Sequence, residues 1–369
     1  MDLKNDKRIV LTLDAGGTNF RFSAIRGGKP VTETVVMPSN GNDLDRCLAN
    51  IVEGFDRIRK QCSVMPVAIS FAFPGPADYP NGIIGDLGNL PGFRGGIAVG
   101  PMLKELFGIP TYINNDGDLF AYGEAISGFL PYVNRLLKEA GSPKRYRNLI
   151  GVTLGTGFGG GIVIDGRLLA GDNSIAGEVW LLRNKLNRDM NAEEGVSIRA
   201  VRRAYAEKAG IPLEQAPEPK KIFDIGMGKQ PGNSSAAAEA FSRMGEVAGD
   251  AMANVLTVID GLGVIGGGIS AAWPLFLPTL VAEINGFYTD PDGRKCRRLA
   301  SAAFNLEDAN QMKSFLMGET REIAIPRSGK KAVYDPLQRI GIGISRLGTT
   351  KAVAIGAYAF ALHQMNLQS

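Results

Sequence analysis

The chain has 369 residues, 44% hydrophobic and 21% charged, with a mean hydropathy of -0.01. This composition predicts folded globular domains, about two at ~150 residues each, and excludes a disordered or membrane-embedded chain. The 41 basic and 37 acidic residues are interspersed, leaving a net charge of +4 and no basic arm or stripe, so neither nucleic acid nor a membrane is an expected partner.

Met1 to Arg8 is polar and no apolar run is long enough for a signal or a span, which predicts a cytoplasmic protein. Cys47, Cys62 and Cys296 lack CxxC spacing and read as reduced thiols. The single histidine, His363, falls in an apolar stretch, so histidine-based chemistry is not expected.

Ile9 to Leu13 reads as a strand, Asp14-Ala15-Gly16-Gly17-Thr18-Asn19 as a turn, and Phe20 to Ile25 as a second strand. Leu44, Leu48, Ile51, Val52, Phe55 and Ile58 recur at helical spacing behind the capping candidates Asn42 and Asp43. Val67 to Phe73 predicts a buried strand ended by Pro74-Gly75-Pro76. Thr111 to Asn114 predicts a short strand that delivers Asn115 and Asp116 to its C-terminal end, where a helix begins and continues through Gly123 to Phe129.

The hairpin pattern returns with Ile150 to Leu154, a tip from Gly155 to Gly161, and Ile162 to Ile164. Matching Leu13 to Leu154 brings the halves into register, as a duplicated unit would. Glu214 to Asn233, with its prolines and lysines, predicts a surface excursion. A long helix follows from Ser234 or Ser235 to Ile259, leading into Val264-Ile265 and a third glycine cluster, Gly266-Gly267-Gly268. Residues 290–336 read as polar and irregular, without an assignable task, and Lys351 to His363 returns to a helical pattern.

Three glycine-rich turns after apolar strands offer backbone N–H groups to phosphate oxygens. Each alone is equally a tight hairpin turn. Gly155-Thr156-Gly157-Phe158-Gly159-Gly160 satisfies G-x-G-x-x-G, yet a strand rather than a helix follows, which argues against a dinucleotide site; a P-loop is absent.

Leu13 to Asn19 resembles the first phosphate motif of the ROK sugar kinases. Phe73-Pro74-Gly75-Pro76-Ala77-Asp78 with Asn89-Leu90-Pro91-Gly92 resembles the connecting motif, Asn115-Asp116 the catalytic pair, Leu154 to Gly161 the second phosphate motif, and Ile265 to Ser270 the adenosine segment. The resemblance implies an α/β fold of the actin-like ATPase (ribonuclease H-like) type. It implies a small domain of residues 1–120 plus 352–369 and a larger one of 121–351, closing on ATP and a sugar in a cleft between them. Dimers are frequent in the family.

By resemblance, Asp116 takes the proton of the attacked sugar hydroxyl, and Asn89, Asn115, Asp116, Glu178 and Glu193 bind the sugar, with Glu194 the alternative to Glu193. Asp14, Gly16, Gly17, Thr18, Asn19, Gly155, Thr156, Gly157, Gly159, Gly267 and Gly268 hold ATP, and Asp14 holds Mg²⁺ through water. Read without the family, Asp14 is a turn residue and Asp116 a helix cap.

One departure stands out. Leu181 occupies the place of a family histidine, and Met190-Asn191 lie where zinc-binding cysteines stand, so no zinc is expected and another device must organise this loop. Trp180 is a candidate to pack on the sugar, or a core residue. A glucose-type hexose is the first expected substrate, with N-acetylhexosamines and fructose behind it. The alternatives are a catalytically silent sugar sensor and a nucleotide-driven scaffold. A repressor is disfavoured because only 13 residues precede Asp14.

Overall fold

The computed structural model describes residues 3–16, 18–75, 77–85 and 92–368. The chain divides into two compact units, Met1–Gly128 with Arg167–Gly177 and Leu347–Ser369, and Phe129–Gly166 with Glu178–Arg346. The expected boundary at residue 120 falls inside a continuous helix, Asp116–Ser127. The break comes at Gly128, whose φ of -114° and ψ of -115° end that helix.

In unit 1, β1 (Val10–Ala15) pairs antiparallel with β2 (Asn19–Arg26), from Val10↔Ile25 to Ala15↔Phe20. β3 (Val35–Pro38) adds antiparallel to β2, while β4 (Ala68–Ala72) runs parallel to β1 and β5 (Thr111–Asn114) parallel to β4. The first four residues of β1 and all of β4 are buried, the continuous apolar pattern of strands covered on both faces.

α1 (Leu44–Gln61) starts at Asp43, whose carboxylate accepts the Arg46 N–H at 3.1 Å. It buries Cys47, Ile51, Phe55 and Ile58. Phe55 meets Phe22 edge-on at 5.0 Å, within a core that also takes Phe71, Phe73 and, from α2 (Val99–Phe107), Leu103 and Phe107. Each such ring contributes ~1.5–3 kcal/mol by leaving water. A second cluster joins Ala72 of β4 to Leu119 of α3 (Asp116–Ser127) and Ala357 of the terminal helix α11 (Thr349–Gln368). α3 and α11 cross at backbone contact: a Cβ on Gly356 would strike the Leu119 carbonyl, and one on Gly123 the Ala352 carbonyl.

Unit 2 repeats this plan. β6 (Leu149–Leu154) and β7 (Phe158–Ile164) form an antiparallel hairpin, β8 (Leu262–Gly266) runs parallel to β6, β10 (Arg339–Ile344) parallel to β8, and β9 (Ala302–Asn305) parallel to β10. A hairpin continued by parallel strands, two in unit 1 and three in unit 2, occurs in both, in keeping with a duplicated unit. The helices of unit 2 are α4 (Phe129–Glu139), α5 (Glu193–Val196), α6 (Ile198–Ala209), α7 (Pro219–Gly226), α8 (Ser234–Ile259), α9 (Trp273–Ile284) and α10 (Ala309–Met317).

Three local expectations are corrected. The second glycine turn is only Gly155-Thr156-Gly157, because the chain is already in β7 at Phe158 and Gly159 pairs with Thr153. The excursion of 214–233 contains α7, which has proline in its first turn and buries Ile222 and Ile225. Residues 290–336 are not irregular: they supply a sheet strand (β9), α10 and the hairpin Arg321–Ala324/Lys331–Tyr334. Their short runs and many polar residues hide this from periodicity. No helix among the described residues is long and apolar enough to cross a membrane, and the three cysteines form no disulfide.

Candidate active site

In unit 1 the candidate residues gather at the C-terminal ends of parallel strands, where open α/β sheets bind ligands. β1 ends at Asp14-Ala15 and β5 at Asn114, followed by Asn115 and Asp116. Val10 pairs with Ala68 and Ala72 with Asn114. Extending that register sets Asp14 level with Asn114, two strand spacings or ~10 Å apart.

The Gly16 N–H bonds the Asp14 carbonyl at 3.2 Å, and a Cβ on Gly16 would lie 2.8 Å from the Asn19 carbonyl, so the hairpin tip admits no side chain there. Thr18 and Asn19 are exposed beside it, and the Thr18 carbonyl accepts the Ser39 N–H. Gly17 and Asn89, both expected site residues, lie outside the described residues.

Asn115 is the N-cap of α3: its Oδ1 accepts the Gly117 N–H at 2.7 Å. That bond commits the carbonyl end of the amide and leaves Nδ2 to donate to a ligand. Asp116 is the first residue of the helix, not its cap. Its Oδ1 accepts the same Gly117 N–H at 2.9 Å.

Crowding by surrounding protein raises the Asp116 carboxyl above the ordinary 3.8; the Gly117 N–H opposes this and the negative charge of Asp14 adds to it. Asp116 is at the same time exposed to solvent, so protein surrounds the carboxyl without sealing it from water. The Asp14 carboxylate is exposed and forms no hydrogen bond or ion pair among the described residues. A free oxygen donor of this kind suits Mg²⁺, which takes one or two carboxylates together with substrate phosphates and water.

In unit 2 the second and third glycine turns adjoin. β6 and β8 run parallel with Thr153 opposite Gly266, so both turns leave the same edge of the sheet. Gly267 has φ +90° and a Cβ there would strike the Leu154 backbone; Ile269 donates to the Leu154 carbonyl at 3.0 Å. Only glycine fits there. Gly268 is exposed with open space around it, as a backbone surface for a ligand would be. Thr156 is exposed at the tip of its turn, and Gly155 and Gly157 are half-buried.

The two expected sugar carboxylates of unit 2 are both oriented by protein. Glu178 precedes the turn Val179–Leu181, and the Trp180 indole N–H donates to its Oε2. Trp180 is half-buried. Glu193, the first residue of α5, accepts the Phe158 N–H on Oε2 at 3.0 Å and pairs through Oε1 with Arg199 at 2.7 Å. Glu194 pairs with Arg199 and Arg203, which holds its carboxyl below the usual range.

The loop without the family's zinc ligands is organised by an amide. Asn184, 3% exposed, accepts the N–H groups of Leu186 at 2.9 Å and Asn187 at 3.1 Å, and its own N–H bonds the Met190 carbonyl at 3.0 Å. Ala192 donates to the Leu182 carbonyl at 2.7 Å to close the loop, and Lys185 pins it to Glu246 and Glu283. Among the described residues no group of three or more His, Cys, Asp or Glu could hold a metal ion. Sequence reading missed Asn184 and Arg199. The only signal for Asn184 was an Asx-type residue two and three positions before the backbone groups it turns.

The model of the ROK family matches residues 10–312. A crystal structure of glucokinase from Parabacteroides distasonis is 54% identical, with a TM-score of 0.90 over 98% of this chain and 99% of that one. The N-acetyl-D-glucosamine kinase of Vibrio cholerae is 29% identical over 271 residues, 70% of this chain and 83% of its own. A ROK family glucokinase from Streptomyces griseus, in complex with glucose and AMPPNP, is 16% identical with a TM-score of 0.59 over 95% of this chain and 98% of its own, a likeness of fold.

Proposed function

The chain belongs to the ROK family, and on that premise we propose that it is an ATP-dependent sugar kinase whose first substrate is glucose. The observation that carries the reading is the placement of Asp116 at the head of α3, just past the C-terminal end of β5 and beside the strand end that bears Asp14. The likeness to a glucokinase at 54% identity over 98% of the chain supports glucose. The likeness to an N-acetyl-D-glucosamine kinase, at 29% over 70%, supports the N-acetylhexosamine as the second reading. A compartment that supplies ATP, the cytoplasm, is the proposed location.

Asp116 accepts the proton of the sugar hydroxyl as that oxygen bonds the γ-phosphorus and the bond to the β-phosphate bridge breaks, releasing ADP. A raised pKa makes the carboxylate a better proton acceptor, while the Gly117 N–H keeps it aimed. Asn115 Nδ2 and Glu178 hold sugar hydroxyls, the amide donating and the carboxylate accepting. The turns at Gly155 to Gly157 and Gly267-Gly268 present backbone to the nucleotide. Asp14 anchors Mg²⁺, which supplies charge neutralisation of the phosphates.

A coupled ADP-release assay with ATP, Mg²⁺ and a panel of hexoses, ketohexoses and N-acetylhexosamines tests this. Release stimulated most by glucose supports the reading, and strongest stimulation by N-acetylglucosamine transfers it to the second substrate. No stimulation by any sugar, with one sugar still bound, refutes catalysis and leaves a sensor.

A further inference from the structure

Arg199, at the start of α6, carries no assigned role, yet it makes the densest set of polar contacts in unit 2 at a glycine turn. Its Nη1 donates to the Thr156 carbonyl at 3.2 Å, Nη2 to Glu193 Oε1 at 2.7 Å, and Nε to Glu194 Oε1 at 2.9 Å. Glu193 in turn accepts the Phe158 N–H at 3.0 Å, and Ile198 donates to the Gly155 carbonyl at 2.8 Å. The carbonyl side and the N–H side of one three-residue tip are thereby tied to the same short stretch of chain. The tip is fitted to the clasp: a Cβ on Gly157 would lie 2.7 Å from Glu193 Oε2.

We propose that Arg199 and Glu193 form a clasp that holds the Gly155-Thr156-Gly157 turn in its phosphate-receiving shape, as positioning residues for the nucleotide rather than ligands of the sugar. This rests on reading that turn as part of the ATP site. Among the described residues the N–H groups of Thr156 and Gly157 donate to no protein acceptor, which leaves two donors for an anion. By accepting the third, at Phe158, Glu193 fixes the orientation of the other two.

The charges explain why the clasp needs its arginine. A carboxylate beside a phosphate site repels the ligand unless a cation offsets it. Glu193 and Glu194 face Arg199 and Arg203, two charges of each sign. Losing Arg199 strands the Glu193 carboxylate next to the phosphates, whereas Glu193→Gln keeps a carbonyl oxygen for the Phe158 N–H and removes the repelling charge. The two losses are therefore unequal, and the second offsets part of the first.

The test is calorimetric binding of Mg·AMPPNP and, separately, of glucose to the full chain and to Arg199→Ala, Arg199→Lys, Glu193→Gln and Arg199→Ala/Glu193→Gln, with thermal midpoints as the folding control. Expected is a loss of nucleotide affinity of about 10- to 100-fold in Arg199→Ala, since it strands a charge. Glu193→Gln and Arg199→Lys should lose less, the double variant should recover part of the loss, and glucose affinity should hold throughout. Wild-type nucleotide affinity in a folded Arg199→Ala overturns the clasp and leaves the kinase reading intact. Weakened glucose with unchanged nucleotide in Glu193→Gln also overturns it, returning Glu193 to the sugar. A wild-type chain that binds no nucleotide overturns the kinase reading and the clasp together.

Discussion

Gly356→Ala is the sharpest test of the packing that holds Asp116. Gly356 of α11 faces α3 so closely that a Cβ would fall within the Leu119 carbonyl oxygen and 3.1 Å from the Gly123 nitrogen. Within its own helix alanine is favoured over glycine by ~1 kcal/mol. The obstruction, however, is backbone, which cannot rotate aside as a side chain can. The helices must part, at the ~1–3 kcal/mol typical of an overpacked core, and parting also loosens Leu119 against Ala357 and Ala72. Because the obstruction is backbone, the steric term lies at the upper end of that range and outweighs the propensity gain, and unit 1 loses up to about 2 kcal/mol net.

Because α3 begins at Asp116, a shift of ~1 Å also costs activity, up to ~10²-fold. Urea unfolding resolves the effect by unit, since both tryptophans, Trp180 and Trp273, belong to unit 2. Far-UV circular dichroism should gain an earlier transition while tryptophan fluorescence keeps its midpoint. An unchanged or stabilised variant with full activity would refute the argument.

Four further outcomes are expected. Asp116 must be ionised to act as a base, so kcat/KM falls as pH drops through its raised pKa, above 3.8. The same shift bears on stability: the proton-linked contribution is present below the unfolded pKa and lost as pH rises through the folded one. Asp116→Asn should therefore melt above wild type at neutral pH, and the gain should vanish below pH ~4. Asn184→Ala frees the Leu186 and Asn187 N–H groups and should lower the unfolding free energy of unit 2, read from urea denaturation, by about 1–2 kcal/mol, while a zinc chelator leaves wild type unchanged. Trp180→Phe removes the donor to Glu178 and should raise KM for sugar about five-fold, near the worth of one hydrogen bond, with KM for ATP constant in steady-state kinetics.

The glycine turns and the strand-borne acids were legible because each is short-range: an apolar run, a turn, then Asp14 or Asn115-Asp116. Periodicity found α1 and α8 for the same reason. What stayed hidden depends on contacts distant in sequence. Arg199 reads as an ordinary helix charge until Thr156, 43 residues away, is seen beside it. Glu193 carried a sugar role by resemblance, and its bond to Phe158 shows only in three dimensions. β9 is four residues long and reveals itself by pairing with β10, and segment 167–177 joins unit 1 by contacts that no local pattern marks.

The central claim is that Asp116 is the base of a sugar-phosphorylating site. Its most direct test is glucose-dependent ADP formation in wild type and Asp116→Asn, with the dissociation constant of Mg·AMPPNP measured on both. The account predicts a fall in kcat/KM for glucose of ~10²- to 10⁴-fold, the usual worth of a general base, with nucleotide binding unchanged. Turnover by Asp116→Asn within a few-fold of wild type would contradict it.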